Sequence, residues 1–200
     1  MIFSFAQSIE QAREYINKTD NPSRAIAHTK AVAHFARNLA EKYPEIDDDL
    51  VETAAWWHDT GRLFDPENHE KISAEMAYES LKKLKADKSV CKKVFDAIIF
   101  HRWSMQPETM EGEIIRDADK LDFFTPARWE YLLEDEDYDS LEYFSGLLPR
   151  FTSEFLHLEQ SKKLYEKVIC SLCGYLRDKD DPKLESAKQK VLTYCSENCS

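Results

Sequence analysis

The sequence contains few of the residues that make tight turns, with four glycines and seven prolines among 200 residues. Sandwiches and barrels need frequent turns between short strands, so this scarcity disfavours an all-β fold. Ala, Leu, Glu and Lys are abundant, and these residues favour helices. A chain of this length with 42% hydrophobic residues can bury one core, or one core with a small appendage. We therefore predict an all-α protein.

Positive charge is also scarce, because 27 Lys and Arg face 38 Asp and Glu, giving a formal net charge of −11. An acidic surface repels the phosphate backbone, so we expect no nucleic-acid polymer as a partner. A small anionic substrate is compatible with this charge if a bound cation reverses its sign locally. The sequence has no apolar run near the ~18 residues of a membrane span and no secretory signal, so we expect a cytoplasmic protein without membrane contact.

Hydrophobic periodicity and polar breaks divide the chain into helices with short connections. The expected helices cover residues 4–18, 23–42, 48–58, 68–86, 88–101 and 112–124. After Pro126 the pattern stays helical, but it includes the acidic run 134–137 and becomes rich in Tyr and Phe. We predict a helical core over residues 1–126 and a helical C-terminal extension over residues 127–200 that packs on it. Helices of this number and length form an irregular multi-helix bundle.

Four of the five cysteines fall in the last 31 residues, at positions 170, 173, 195 and 199. Their spacing is compatible with two halves of a zinc site. However, Cys170 and Cys173 lie within a segment of helical periodicity, where such a pair commonly fills a core. We favour reduced, partly buried thiols over structural zinc.

The positions of the histidines carry the most information about function. At about 100° per residue, His28 lies on the apolar stripe of the second helix, whereas His34 points to its flank or to solvent. His58 ends the third helix, and His69 and His101 fall on the inward faces of the fourth and fifth. Four of the six histidines therefore point inward from consecutive helices. A buried imidazole needs a polar partner, and a shared metal ion would serve all four.

Carboxylates accompany these histidines, because Asp59 follows His58 directly and Asp117, Asp119 and Asp122 lie in the sixth helix. Imidazole with carboxylate is a ligand set suited to Mn, Fe, Ni, Co or Zn. Relative to the apolar face of that helix, Asp117 and Asp119 both lie at its edges. Periodicity alone therefore leaves open which of the two reaches the site.

His28 in AHTKAVAHFARNLA, the pair His58-Asp59 in AAWWHDTGR and an aspartate of IIRDADKLD form one pattern. Over about residues 22–124 the chain resembles the HD-domain superfamily of metal-dependent phosphohydrolases. The resemblance implies an HD-domain bundle whose metal ligands are His28, His58, Asp59 and a distal aspartate, with the Ala-Asp-x-Leu pattern favouring Asp119 over Asp117. The tryptophans at 56 and 57 depart from the small aliphatic residues usual before the pair, which alters packing rather than ligands.

His69 and His101 are similar to two further histidines with which some HD enzymes hold a second metal. In that case Asp59 would bridge two ions ~3.5–4 Å apart. In single-metal members the same histidines contact the substrate phosphate or act as general acid. We favour two ions over one.

The resemblance also implies an activity, namely hydrolysis of a phosphate ester or anhydride, most naturally in a nucleotide. A metal-activated water would attack phosphorus. Asp59 would hold the ion, while Arg62, Lys120 and His101 would neutralise the charge that develops on the phosphoryl oxygens. The alternative is a non-catalytic metal- or nucleotide-binding regulatory module, whose acidic C-terminal half forms a partner surface.

Overall fold

The computed structural model describes residues 3–198, and all regular secondary structure in this range is helical. The expected all-α class is thereby confirmed. The chain divides into two compact units, residues 1–119 and 120–200. The packing of a C-terminal extension on a core remains a prediction. Within residues 3–198, none of the helices combines the length and the apolar character that crossing a bilayer requires.

The helices of the first unit lie where periodicity predicts them, and their ends fall within three residues of the expected positions. They are α1 (Phe5–Ile16), α2 (Pro22–Ala40), α3 (Asp48–Trp57), α4 (His69–Lys83), α5 (Lys88–Ile99) and α6 (Met110–Leu121), whose last two residues belong to the second unit. A 3₁₀ turn over Thr60–Leu63 follows α3. Because α5 ends at Ile99, His101 lies beyond that helix rather than on its face.

Side-chain caps fix where α2 and α3 begin. The Asn21 side chain accepts the N–H of Arg24, and Pro22 takes the first position of α2, where a missing N–H is harmless. The Asp47 carboxylate accepts the N–H groups of Asp49 and Leu50 at 3.0 and 3.2 Å, which starts α3. These caps fix the first residue of each helix, and therefore the position of His28 along α2 and of His58 at the end of α3.

Helix α3 runs through the middle of the first unit and is buried along its length, from Leu50 to Trp57. The Trp57 indole N–H donates to the Ser8 hydroxyl of α1 at 3.0 Å, and this hydroxyl lies 3.1 Å from that of Ser80 in α4. Because the buried polar atoms of Trp57 and Ser8 are hydrogen-bonded, the end of α3 is held in one place. His58 follows immediately.

The second unit contains α7 (Pro126–Glu134), α8 (Tyr138–Leu147), α9 (Phe151–Glu154), α10 (Glu159–Arg177) and α11 (Glu185–Asn198). Its core is aromatic, with the Phe151 ring 4.7 Å from that of Phe124 and 5.0 Å from that of Tyr165. Aromatic pairs at these distances add to the free energy gained by burying their area. The Tyr and Phe enrichment of this region thus forms a core.

Cys173 and Cys195 are buried free thiols on α10 and α11, as expected for core cysteines. The Cys195 thiol donates to the Ile169 carbonyl at 3.5 Å. Burial, followed by its hydrogen bond to Cys173, raises the pKa of Cys195 to about 12. The expected reduced state is wrong for Cys170, which is disulfide-bonded, and Cys199 lies outside the described residues.

Candidate metal centre

Six side chains predicted as metal ligands come together within the first unit. They come from two helix interiors and three helix ends: His28 from α2, Asp119 from α6, His58 and Asp59 from the end of α3, His69 from the start of α4 and His101 from beyond α5. Their roles as ligands remain predictions, and their geometry decides which ions they suit.

The Asp59 carboxylate lies between two pairs of histidines. Its Oδ2 atom is 3.6 Å from Nε2 of His28 and 3.8 Å from Nε2 of His58. Its Oδ1 atom is 3.1 Å from Nε2 of His69 and 3.6 Å from Nε2 of His101. Each oxygen therefore completes a separate three-ligand group whose atoms lie within 4.8 Å of one another.

The first of these groups also includes Asp119. Its Oδ1 atom lies 3.5 Å from Nε2 of His28 and 3.8 Å from Nε2 of His58. Asp117 is fully buried and lies 3.4 Å from Arg116 in an ion pair. Of the two aspartates that periodicity left open, the geometry favours Asp119 as a ligand.

The backbone fixes the orientation of three imidazoles. Each Nδ1 atom lies 2.7 or 2.8 Å from the carbonyl three residues earlier: His58 on Ala55, His69 on Pro66 and His101 on Ile98. A carbonyl only accepts, so Nδ1 must carry the proton, and a neutral ring then presents Nε2 as a lone pair. This is the tautomer that a metal-binding histidine needs.

The donor set fits a divalent metal ion. Asp59 Oδ1 and His69 Nε2 are buried, and neither has a hydrogen-bond partner among residues 3–198. Two ligands of one ion, each about 2.1 Å from it, lie about 3.0–3.4 Å apart, depending on the coordination geometry. The Nε2 atoms of His28 and His58 are 3.2 Å apart, within that range. A cation would satisfy these inward-facing lone pairs.

Burial controls the protonation of the pair at the centre. It lowers the pKa of His58 to about 4, so this imidazole is neutral at pH 7. Burial alone would raise the pKa of Asp59, but the imidazoles around it, His58 first, hold it well below its usual range. Near neutral pH the site thus presents a neutral imidazole beside a carboxylate, which is the protonation state that binds a metal.

Two basic residues had been predicted to contact a phosphate. Arg62 places Nε 2.7 Å from Asp59 Oδ2, and its side chain is half exposed. Burial lowers the pKa of Arg62, but the Asp59 charge more than compensates, so the guanidinium is a fixed cation at the edge of the site. Lys120 is the first residue of the second unit and lies over the Phe123 ring, 5.4 Å from its centroid. Its catalytic role remains a prediction.

Gly61 allows α4 to approach the turn that follows Asp59. Its N–H donates to the Ser73 hydroxyl at 2.8 Å. A Cβ atom at this position would lie 2.4 Å from the His69 carbonyl oxygen and 2.9 Å from the Ser73 nitrogen. Only glycine fits this close backbone contact, which brings His69 beside Asp59.

One ion pair beside the site has no signature in the sequence. The Glu70 carboxylate, 8% exposed, accepts a hydrogen bond from Nε of Arg102, whose side chain is 38% exposed. A glutamate in the first turn of a helix is ordinary, because it complements the helix dipole. Nothing in the sequence therefore distinguishes Glu70 or pairs it with Arg102.

Comparisons with known proteins identify the domain family and a similar fold. The HD domain family model matches residues 25–123, and no curated protein matches the chain. The fold is similar to the crystal structure of a predicted HD superfamily hydrolase from an uncultured Thermotogales bacterium, with a TM-score of 0.66 and 23% identity, covering 86% of this chain and 88% of that one. Residues 25–123 therefore belong to the HD-domain superfamily of metal-dependent phosphohydrolases, as the sequence resemblance implied.

Proposed function

We propose that this protein hydrolyses a phosphate ester or anhydride bond in a nucleotide, with two divalent transition-metal ions. The observation that carries the proposal is the Asp59 carboxylate, whose two oxygens face two different pairs of histidines. A carboxylate placed in this way suits a bridge between two ions. Mn, Fe, Ni, Co and Zn all suit the ligand set.

The two ions would share Asp59 and otherwise use separate ligands. His28, His58 and Asp119 would hold the first ion, and His69 and His101 would hold the second. When bound, such ions supply a nucleophilic water at neutral pH and neutralise negative charge on the phosphoryl group. The chain's own contribution is to fix the ligands and to place further positive charge beside them.

Arg62 supplies that charge. Its Nε atom contacts Asp59, and the half-exposed guanidinium can direct its remaining N–H groups towards an entering phosphate. Fixed donors of this kind stabilise charge that develops in the transition state. His101 offers only Nε2, because Nδ1 is bonded to the Ile98 carbonyl, so in the two-ion site it would hold the second ion rather than contact the substrate itself. We assign Lys120 to the same phosphate.

Exposed aromatic side chains close in sequence to site residues support a nucleotide as the substrate. Phe64 is 60% exposed and Trp103 is 47% exposed, and they follow Arg62 and His101 by two residues each. Trp56, Trp57 and Trp129 are buried, whereas the exposed part of Trp103 can stack on a base. The Trp103 carbonyl accepts a hydrogen bond from Arg116 at 3.3 Å, which anchors this residue.

The activity is tested with protein loaded with Mn²⁺ and assayed against nucleoside monophosphates, diphosphates and triphosphates, cyclic nucleotides, glycerol phosphate and single-stranded DNA. We expect turnover of at least one nucleotide, slower turnover of glycerol phosphate and none of the polymer. Trp103→Ala should reduce the difference in kcat/KM between the nucleotide and glycerol phosphate. Equal kcat/KM for both substrates in the wild type would contradict a nucleotide specificity.

Asp59→Ala should abolish both metal binding and turnover. His34→Ala is the matched control, because His34 is exposed on α2 and contacts the Asn38 side chain instead of the site. Full activity of a metal-loaded Asp59→Ala variant would overturn the mechanism. Stoichiometric metal without turnover of any phosphate would instead favour the regulatory binding module.

A further inference from the structure

Four of the six predicted ligands lie at helix ends rather than inside a helix. His58 and Asp59 directly follow α3, His69 is the first residue of α4, and His101 lies two residues beyond the end of α5. His28 and Asp119, by contrast, lie inside α2 and α6, whose packing sets their positions. The spacing of His69 and His101 therefore depends on whatever links the start of α4 to the chain after α5.

The residues that directly follow these two histidines provide such a link. Arg102 donates from Nε to the Glu70 carboxylate and from its terminal nitrogen to the Glu67 carbonyl at 2.5 Å. One guanidinium thus holds both the first turn of α4 and the loop before it. The ring centroids of His69 and His101 lie 5.3 Å apart in an edge-to-face arrangement, with an interplanar angle of 64°.

The ion pair of Arg102 and Glu70 also fixes the position of a buried carboxylate, that of Glu70, beside the site. Glu70 Oε1 lies 3.6 Å from Nε2 of His69, and its side chain is only 8% exposed. A buried carboxylate without a partner is costly, so its hydrogen bond from Arg102 keeps it where it is. Glu70 in turn fixes the conformation of Arg102.

We propose that Arg102 and Glu70 are positioning residues that hold His69 and His101 at the spacing required for the second metal ion. This inference rests on the proposed two-ion function. It assigns to the pair an effect on one ion only, because Glu70 and Arg102 directly follow His69 and His101, the two histidines that would hold that ion. Residues that orient metal ligands in this way typically change metal affinity by about 10- to 100-fold when replaced.

The test is a Mn²⁺ titration of metal-free protein by calorimetry, together with electron paramagnetic resonance to detect a spin-coupled Mn pair. Arg102→Ala and Glu70→Gln should each lower the affinity for the second ion by about 10- to 100-fold and remove the spin-coupled signal. The affinity for the first ion should not change. Arg102→Lys should fall between wild type and Arg102→Ala, because a lysine keeps the charge but not the planar fork. Arg150→Ala, which removes an exposed arginine paired with Glu154, is the control.

An unchanged affinity for the first ion shows that each variant is folded. If Arg102→Ala binds two ions with wild-type affinity, the inference is wrong and the proposed function is unaffected. If Arg102→Ala binds the second ion more tightly and Glu70→Gln binds it more weakly, the inference is also wrong, because Glu70 would then be a ligand. A wild type that binds one ion would overturn the inference together with the two-ion part of the proposed function, and a wild type that binds none would overturn the proposed function as a whole.

Discussion

Oδ1 of Asp59 lies 3.1 Å from Nε2 of His69, and both atoms are buried without a hydrogen-bond partner among residues 3–198. Two acceptor lone pairs at this distance repel each other unless a cation or a proton lies near both. The Nδ1 atom of His69 already carries the ring proton, because it is bonded to a carbonyl. A metal ion bound by both atoms would therefore resolve the contact.

The shared carboxylate leads to a prediction about metal stoichiometry. We expect two ions per chain in the wild type, one in His69→Ala, one in His28→Ala and none in Asp59→Asn. His69→Ala and His28→Ala each remove one ligand of a single group, whereas Asp59 belongs to both. Elemental analysis after Mn²⁺ loading measures this directly, with His34→Ala as the control. A loss of both ions in His69→Ala would mean that the two groups do not bind independently.

Arg62→Ala should leave the metal content unchanged and lower kcat/KM by about 10²- to 10³-fold, the effect of removing one fixed donor to transition-state charge. Arg62→Lys should recover part of the loss, since it restores charge without bidentate geometry. Steady-state kinetics on the best nucleotide substrate measures both, and Arg150→Ala supplies a surface-arginine control. Wild-type kcat/KM in Arg62→Ala would remove this residue from the phosphate site.

Gly61→Ala should destabilise the protein by about 1–3 kcal/mol, as overpacking does, and should weaken metal binding, because the new Cβ would push against the His69 carbonyl. Gly174→Ala is the matched control: a Cβ at this helical position meets nothing within 4 Å, and alanine should stabilise α10 by about 0.5–1 kcal/mol. Urea denaturation of the two variants gives the comparison. Equal stabilities would show that the backbone at Gly61 can relax freely.

The buried imidazole of His58 makes the metal-free protein sensitive to acid. Its pKa is lowered to about 4 by burial, whereas in the unfolded chain it returns to about 6.5. Between these values the unfolded state binds the extra proton, so the free energy of unfolding falls as the pH drops from 6.5 towards 4, by up to ~3 kcal/mol.

Urea denaturation of metal-free protein from pH 7 to pH 4 measures this loss, and NMR titration of the His58 ring reports its pKa directly. His58→Gln lacks the titrating group, so its stability should change less over the same range. A ring that titrates near 6.5 in the folded protein would show that His58 is solvated rather than buried.

Periodicity was sufficient for much of the first unit. The stripe of Val32, Phe35 and Leu39 correctly placed His28 towards the interior, and the predicted start of the third helix at residue 48 agrees with α3, which Asp47 caps. These predictions succeed because they depend on local rules, namely helical geometry and the satisfaction of backbone N–H groups. The same rules could not choose between Asp117 and Asp119, since both lie at the edge of one helical face.

Contacts between distant segments were beyond such rules. Glu70 and Arg102 are 32 residues apart, and their hydrogen bond depends on how α4 meets the chain after α5. The close approach at Gly61 is similar, because the sequence shows a glycine after the His-Asp pair but not which backbone packs against it. Each is a tertiary contact between residues that are individually common at such positions.

The carbonyl groups that orient His58, His69 and His101 belong to the main chain of Ala55, Pro66 and Ile98, so the side chains at those three positions are not needed to orient the rings. Substitutions there should therefore leave the tautomer of each ring unchanged. The loops around Phe64 and Trp103 can then diverge freely in evolution, and a related chain could change its substrate while keeping the same metal chemistry.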